Sequence, residues 1–218
     1  MPRNVAADAS VSCTLLITPD SVDSTHNSEQ RRRLLLLGSV AAFYLPLIFA
    51  GPGSDPDSFR ELRSGAILLH AHRYVMSRPP GYFPYELLCG ILYALGGTAL
   101  SNFASLVMSL ALLDSFLRVC AHFEVPQRYL LAAAMATHPV YVAASTSTID
   151  FIPALACFFL SYRFLLERRY LLAAVTAAFA IGMRLASILL VVPLFIAELL
   201  TRPRDKKLWI TCALASAL

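Results

Sequence analysis

Two segments concentrate the residues that could do chemistry: Asp55-Pro56-Asp57-Ser58-Phe59-Arg60, and Ser77-Arg78-Pro79-Pro80-Gly81-Tyr82-Phe83-Pro84-Tyr85-Glu86. Acids of this kind can deprotonate a hydroxyl or hold a metal, and guanidinium groups hold phosphate in bidentate geometry. Both segments lie between an apolar run, Leu34 to Ala50, and the next, beginning at Tyr85. Charge is costly at bilayer depth, so an acidic turn directly after a candidate spanning helix is a functional-site candidate. Asp150 and Arg184 lie much further along the chain, and only the fold could bring them to the same place.

The elements that must do so are apolar. Of 218 residues, 57% are hydrophobic and 15% charged, against roughly 25% charged in a soluble domain. The composition predicts an all-α polytopic membrane protein. Its apolar runs are Leu34 to Ala50, Tyr85 to Ala99, Phe103 to Leu117, Tyr129 to Ala144, Phe151 to Leu166, Tyr170 to Met183, Leu185 to Leu200 and Leu208 to Leu218. Most reach or just miss the ~17 to 25 residues of a spanning helix, which suits helices packed on one another. Residues 1–30, rich in Ser, Asp, Thr and Asn, read as a disordered cytoplasmic tail. Residues 31–218 read as one transmembrane module of about six spans plus a seventh cut short at Leu218. The first run reads as an uncleaved anchor rather than a signal peptide. The net charge of +4 comes from basic clusters at the ends of apolar runs, a pattern of membrane topology and not of nucleic-acid binding. Cys13, Cys89, Cys120, Cys157 and Cys212 are scattered, with no zinc or disulfide spacing.

Charge asymmetry orients the chain. Arg31, Arg32 and Arg33 abut the first span, which places the N-terminus in the cytoplasm and Asp55 outside. If Tyr85 to Ala99 does not cross, 13 of 18 Lys and Arg residues fall inside, leaving Arg60, Arg63, Arg73, Arg78 and Arg184 outside. If it crosses, the downstream clusters all flip outward. Tyr85 to Ala99 therefore reads as a juxtamembrane or re-entrant helix ending at Gly96-Gly97. A hairpin turning at Gly182-Met183-Arg184 keeps the later spans in step. This topology gathers Asp55, Asp57, Arg60, Arg78, Glu86, Asp150 and Arg184 at the outer interface.

Plainer readings exist for most of these residues. Asp55 can cap a helix over Ser58 to Tyr74, whose Phe59, Leu62, Ala66 and Leu69 predict an amphipathic surface helix. Arg60, Arg63 and Arg73 suit headgroups or water. His70 and His72, two apart, point to different faces. His138-Pro139 reads as a helix break, Asp114 and Arg118 as an intrahelical pair, Arg163 as a snorkelling side chain, and Ser145 to Thr148 as a polar loop.

The order and spacing of these elements resemble the N-terminal half of a GT-C glycosyltransferase. The similar group contains the protein O-mannosyltransferases, the lipid A aminoarabinose transferase and their bacterial relatives. The carriers are the first span, D-P-D-S-F-R opening an amphipathic helix, S-R-P-P-G-Y-F-P-Y-E, and the polar loop ending in Asp150. The resemblance runs from about Arg31 onward. It implies a helical bundle with extracytoplasmic juxtamembrane helices in the first outer loop, in the plasma membrane.

It further implies transfer of a sugar from a polyprenyl-phosphate donor to an acceptor hydroxyl on a glycan, lipid or protein, with no nucleic acid involved. Asp57 resembles the acidic residue of the family's first outer loop, which acts as or beside the catalytic base. Ser58 stands where a second acid is common, with Asp55 as the substitute carboxylate and a divalent metal between Asp55 and Asp57 a possible cofactor. Arg78 resembles a residue lining the donor cavity, Asp150 the acid of the second outer loop, and Arg184 the basic residue facing the lipid phosphate; Glu86 is a further candidate. The competing classes are a membrane transporter, which should place its ionisable residues at mid-membrane, and a non-catalytic membrane scaffold.

Overall fold

A computed structural model describes residues 19–53, 55–202 and 210–211, with backbone alone over 19–26. Among the described residues every regular element is helical. They are α1 (Pro19–Tyr44) running into a 3-10 turn (Leu45–Phe49), α2 (Pro56–Ala71), α3 (Phe83–His122), α4 (Arg128–Thr137), α5 (Pro139–Thr146), α6 (Phe151–Leu166), α7 (Tyr170–Met183), a second 3-10 turn (Leu185–Ser187) and α8 (Ile188–Thr201). The expected disordered tail is helical from Pro19 onward. A proline at the first helical position is preorganised for that start, and Glu29 fastens the segment by pairing with Arg128. Residues 1–18, Cys13 among them, lie outside the described residues, as does most of the run after Leu208, with Cys212.

Among the described residues two helices are long and apolar enough to cross a membrane: Asn27–Phe49, and α3. A third is reached if α5 and α6, bent by 99° at their junction, count as one broken span. Length and composition thus mark fewer crossings than the six expected, because α6, α7 and α8 have 16, 14 and 14 residues. The chain breaks its apolar runs with turns that the runs alone do not reveal. Pro139 ends α4 at His138, as the dipeptide predicts.

α3 carries the most consequential break. Forty residues of unbroken helix would reach ~60 Å, twice a ~30 Å hydrocarbon core. At Gly97 the backbone turns left-handed, with φ 65° and ψ −160°, a conformation that side chains bearing a Cβ resist. The expected separation of Tyr85 to Ala99 from the following span is therefore a backbone feature of α3.

Two cores flank a central pair, α3 and α6. On one side Leu62, Tyr85, Cys89, Cys157, Ala177 and Phe195 join α2, the first part of α3, α6, α7 and α8. On the other, Val40, Tyr44, Leu112, Leu113, Ala136 and Ala156 join α1, the later part of α3, α4, α5 and α6. Ala173, Ala177 and Ala180 recur along the buried face of α7, and small residues let helix backbones approach closely where lipid supplies little hydrophobic drive. Ser161 Oγ donates to Ala173 O at 2.8 Å across that hairpin. Cys89, Cys120 and Cys157 are free and buried, in keeping with their reading as small apolar residues.

α2 is held to α3 by two glycines. A Cβ on Gly65 would stand 2.6 Å from Gly90 N and press on Glu86 O. This crossing determines which face of α2 turns inward: Ser58, Glu61, Leu62, Ser64 and Gly65 are buried, whereas Phe59 is exposed. The buried face shares only Leu62 with the stripe expected to lie on the membrane surface, since a close backbone approach selects small and polar residues.

Candidate functional site

Asp55 is the N-cap of α2, its carboxylate accepting from Asp57 N at 2.9 Å, with Pro56 at the first helical position. That cap sets the phase of the helix. Asp57 and Glu61, four residues apart, then fall on one face, with Asp57 at the rim and Glu61 sealed beneath it.

Arg78 closes over this face from the connection between α2 and α3. Its guanidinium pairs with Asp57, with Glu61 at 3.2 Å and with Asp150 at 2.7 Å, and lies 4.8 Å from the centre of the Tyr82 ring. Asp150 is fully buried at the start of α6. On its other side Arg184, in the turn after α7, donates to both its carboxylate oxygens at 3.2 Å. The Arg184 guanidinium stacks 3.8 Å over the Phe151 ring. Four stretches of chain thus converge on three carboxylates and two guanidinium groups.

Glu61 is the residue that the sequence reading missed, though its i, i+4 spacing from Asp57 was a usable signal. Burial, then the negative charge of Asp150, push its carboxyl up to about 9 against the partial relief from Arg78; Asp57 and Glu86 raise it further. Glu61 is therefore protonated at neutral pH. Its Oε2 is buried without a hydrogen-bond partner among the described residues. With Glu61 neutral, Asp57 and Asp150 balance Arg78 and Arg184.

Glu86 does a different job. It accepts from Ser77 N at 2.9 Å, from Ser77 Oγ and from Ser64 Oγ at 3.0 Å. These bonds tie α2, the connecting segment and α3 together and so hold Arg78's stretch in place. Asn102 performs the same service for the second loop. Its side-chain nitrogen donates to Ile48 O at 2.9 Å and Gly51 O at 2.7 Å, while its oxygen accepts from Thr148 Oγ1 at 2.9 Å. The Ser145 to Thr148 stretch is thus buried scaffolding in part, two residues from Asp150.

Compared with known proteins, the chain matches no family model, no curated protein and no solved structure.

The geometry alone therefore defines the site. Asp57, Arg78, Asp150 and Arg184 come together as the topology predicts. Asp55 stays out of the cluster as a cap, and Arg60 reaches Asp57 only from the exposed rim, at 3.4 Å. Asp55 and Asp57 do not fit a divalent cation: one carboxylate is turned to a backbone N–H and the other to Arg78. Nor do the other carboxylates, since Arg78 fills the point on which Asp57, Glu61 and Asp150 converge. Among the described residues no group of three His, Cys, Asp or Glu side chains is arranged as metal ligands.

The opposite end of the bundle carries a second polar cluster. Asp114 meets Arg33, Arg118 at 3.2 Å and Arg163 at 3.3 Å. Arg163, expected to snorkel from its helix end, is also paired with Glu167 at 2.7 Å. The intrahelical pair of Asp114 and Arg118 is present as predicted, with two further arginines added.

Proposed function

We propose that this chain is a GT-C-type membrane glycosyltransferase, transferring a sugar from a polyprenyl-phosphate donor to an acceptor hydroxyl on the extracytoplasmic side. The observation that carries the reading is the convergence of Asp57, Arg78, Asp150 and Arg184 at one end of the bundle, apart from the basic cluster at the other. α1 and the later part of α3 cross the membrane; α6, α7 and α8 are short crossings packed against them, the N-terminus is cytoplasmic and the membrane is the plasma membrane. The first part of α3 and α2 lie at the outer interface.

The acceptor oxygen attacks the anomeric carbon, the carbon–oxygen bond to phosphate breaks, and its electron pair leaves with the phosphate. The acceptor proton passes to Asp57, whose carboxylate is 25% exposed while Glu61 and Asp150 are sealed. Direct displacement inverts the anomeric centre. Arg184 and Arg78 stabilise the departing phosphate, exchanging Asp150 for it as acceptor, as cationic groups do where charge develops. Glu61 stays neutral, so the arginines keep enough positive charge to receive an anion.

The test is transfer in proteoliposomes supplied with a panel of polyprenyl-phosphate sugars and acceptors. Wild type transfers from at least one donor, and Arg184→Gln loses transfer by about 100-fold or more, as for other donors to a developing oxyanion. No transfer from any donor would favour the transporter or scaffold classes.

A further inference from the structure

At the end of the bundle remote from Asp57, α1, α3 and α4 enclose a cavity of about 430 Å³. Its polar wall is built from Arg33, Arg118 and Arg128, with Glu29 paired to Arg128, and its apolar wall includes Leu34 and Leu117. We infer that this cavity receives the phosphate of an anionic phospholipid headgroup. It is a site separate from the carboxylate cluster and independent of the chemistry proposed there.

Three observations carry this. The first is charge: Arg33, Arg118, Arg128 and Arg163 face only Asp114, Glu29 and Glu167 within the ion-pair network, and Arg31 and Arg32 are exposed beside them on α1. The second is unused donor capacity. Arg33 and Arg118 each reach Asp114 through Nε, and their terminal nitrogens have no partner among the described residues. Guanidinium forks left in this way match phosphate oxygens. The third is location. The two helices that supply Arg33 and Arg118 are both long and apolar enough to cross a membrane. Leu34 is 57% exposed, giving an apolar surface directly below the arginines for an acyl chain. The positive-inside rule puts this end against the cytoplasmic leaflet, where anionic lipids concentrate and basic pockets between spanning helices take their headgroups.

Native mass spectrometry of the full chain in zwitterionic detergent, titrated with phosphatidylglycerol or phosphatidylcholine, tests this. Phosphatidylglycerol binds preferentially. Arg118→Gln weakens it about 5-fold and Arg33→Gln/Arg118→Gln about 30-fold, following the ~1 kcal/mol that each basic residue contributes at an anionic surface. Phosphatidylcholine binding is unchanged, and Arg63→Gln, at the other end, changes neither. Equal retention of both lipids, undiminished phosphatidylglycerol binding by the double variant, or displacement of phosphatidylglycerol by inorganic phosphate at equal concentration would overturn the inference. Should the double variant lose helicity, Arg118→Gln decides alone: its side chain is 40% exposed and the helix can form without it.

Discussion

Glu61→Gln separates two accounts of the buried cluster. In the first, Glu61 is a neutral acid whose Oε1 merely accepts from Arg78 at 3.2 Å; in the second, it is the anionic half of a buried ion pair. A carboxyl raised from 4.5 to about 9 in the folded state contributes stability that is fully present below pH 4.5 and is lost as pH rises through about 9. At ~1.4 kcal/mol per unit, the loss is about 3 kcal/mol by pH 7, with a ceiling of about 6 kcal/mol by pH 9. Glutamine is permanently neutral, similar in shape and still able to accept from Arg78. The variant should therefore match wild type within about 1 kcal/mol near pH 5 and become the more stable protein as pH rises. Thermal unfolding in detergent at intervals from pH 5 to 9 reads this directly. Parallel pH profiles for the two proteins would refute the neutral acid. So would a loss of 3 to 5 kcal/mol in the variant near pH 5, the range expected when one partner of a buried ion pair is removed.

Three further perturbations address the scaffold. Gly65→Ala forces a methyl against the backbone of Gly90 and should cost about 1 to 3 kcal/mol in thermal unfolding, as overpacking does, with Gly65→Val worse; an unchanged melting temperature would place α2 elsewhere. Asp150→Asn removes the acceptor shared by Arg78 and Arg184 and should cost about 3 to 5 kcal/mol, measured by denaturant midpoint; a neutral outcome would mean that the arginines do not depend on it. Asn102→Ala strands Ile48 O, Gly51 O and Thr148 and should lower stability by about 1 to 3 kcal/mol, with protease cleavage in the 147–150 loop rising in parallel; resistance equal to wild type would contradict its role as a tie.

Charge asymmetry grouped Asp150 and Arg184 with Asp57 and Arg78, and the structure brings these four side chains into contact. The breaks at Gly96-Gly97 and His138-Pro139 were also legible, since glycine and proline limit the backbone wherever they sit. Glu61 was not, because the apolar stripe of Phe59, Leu62, Ala66 and Leu69 marked the side of a surface helix that meets the membrane and said nothing of the side that packs on α3. What turned Glu61 inward was the approach of Gly65 to Gly90, a contact between glycines 25 positions apart that leaves no periodic trace. Asn102, and the tying role of Glu86, which stood only as a candidate site residue, escaped for a related reason: their partners are mostly backbone atoms and serines whose sequence carries no pairing signal. The lengths of the individual helices were not legible, because runs of similar composition are cut into helices of unequal length by turns at 138, 147–150 and 184.

Sugar transfer by Asp57→Asn and Asp55→Asn, compared in the same proteoliposomes, tests the central claim most directly. Asp57 faces the rim of the cluster, whereas Asp55 caps α2. Asp57→Asn should abolish transfer while leaving the fold intact. Asp55→Asn, which can still cap, should retain it within a few-fold, consistent with the similar capping strength of Asn and Asp. Full transfer by Asp57→Asn, or equal loss in both variants, would contradict the assignment of Asp57 as the base.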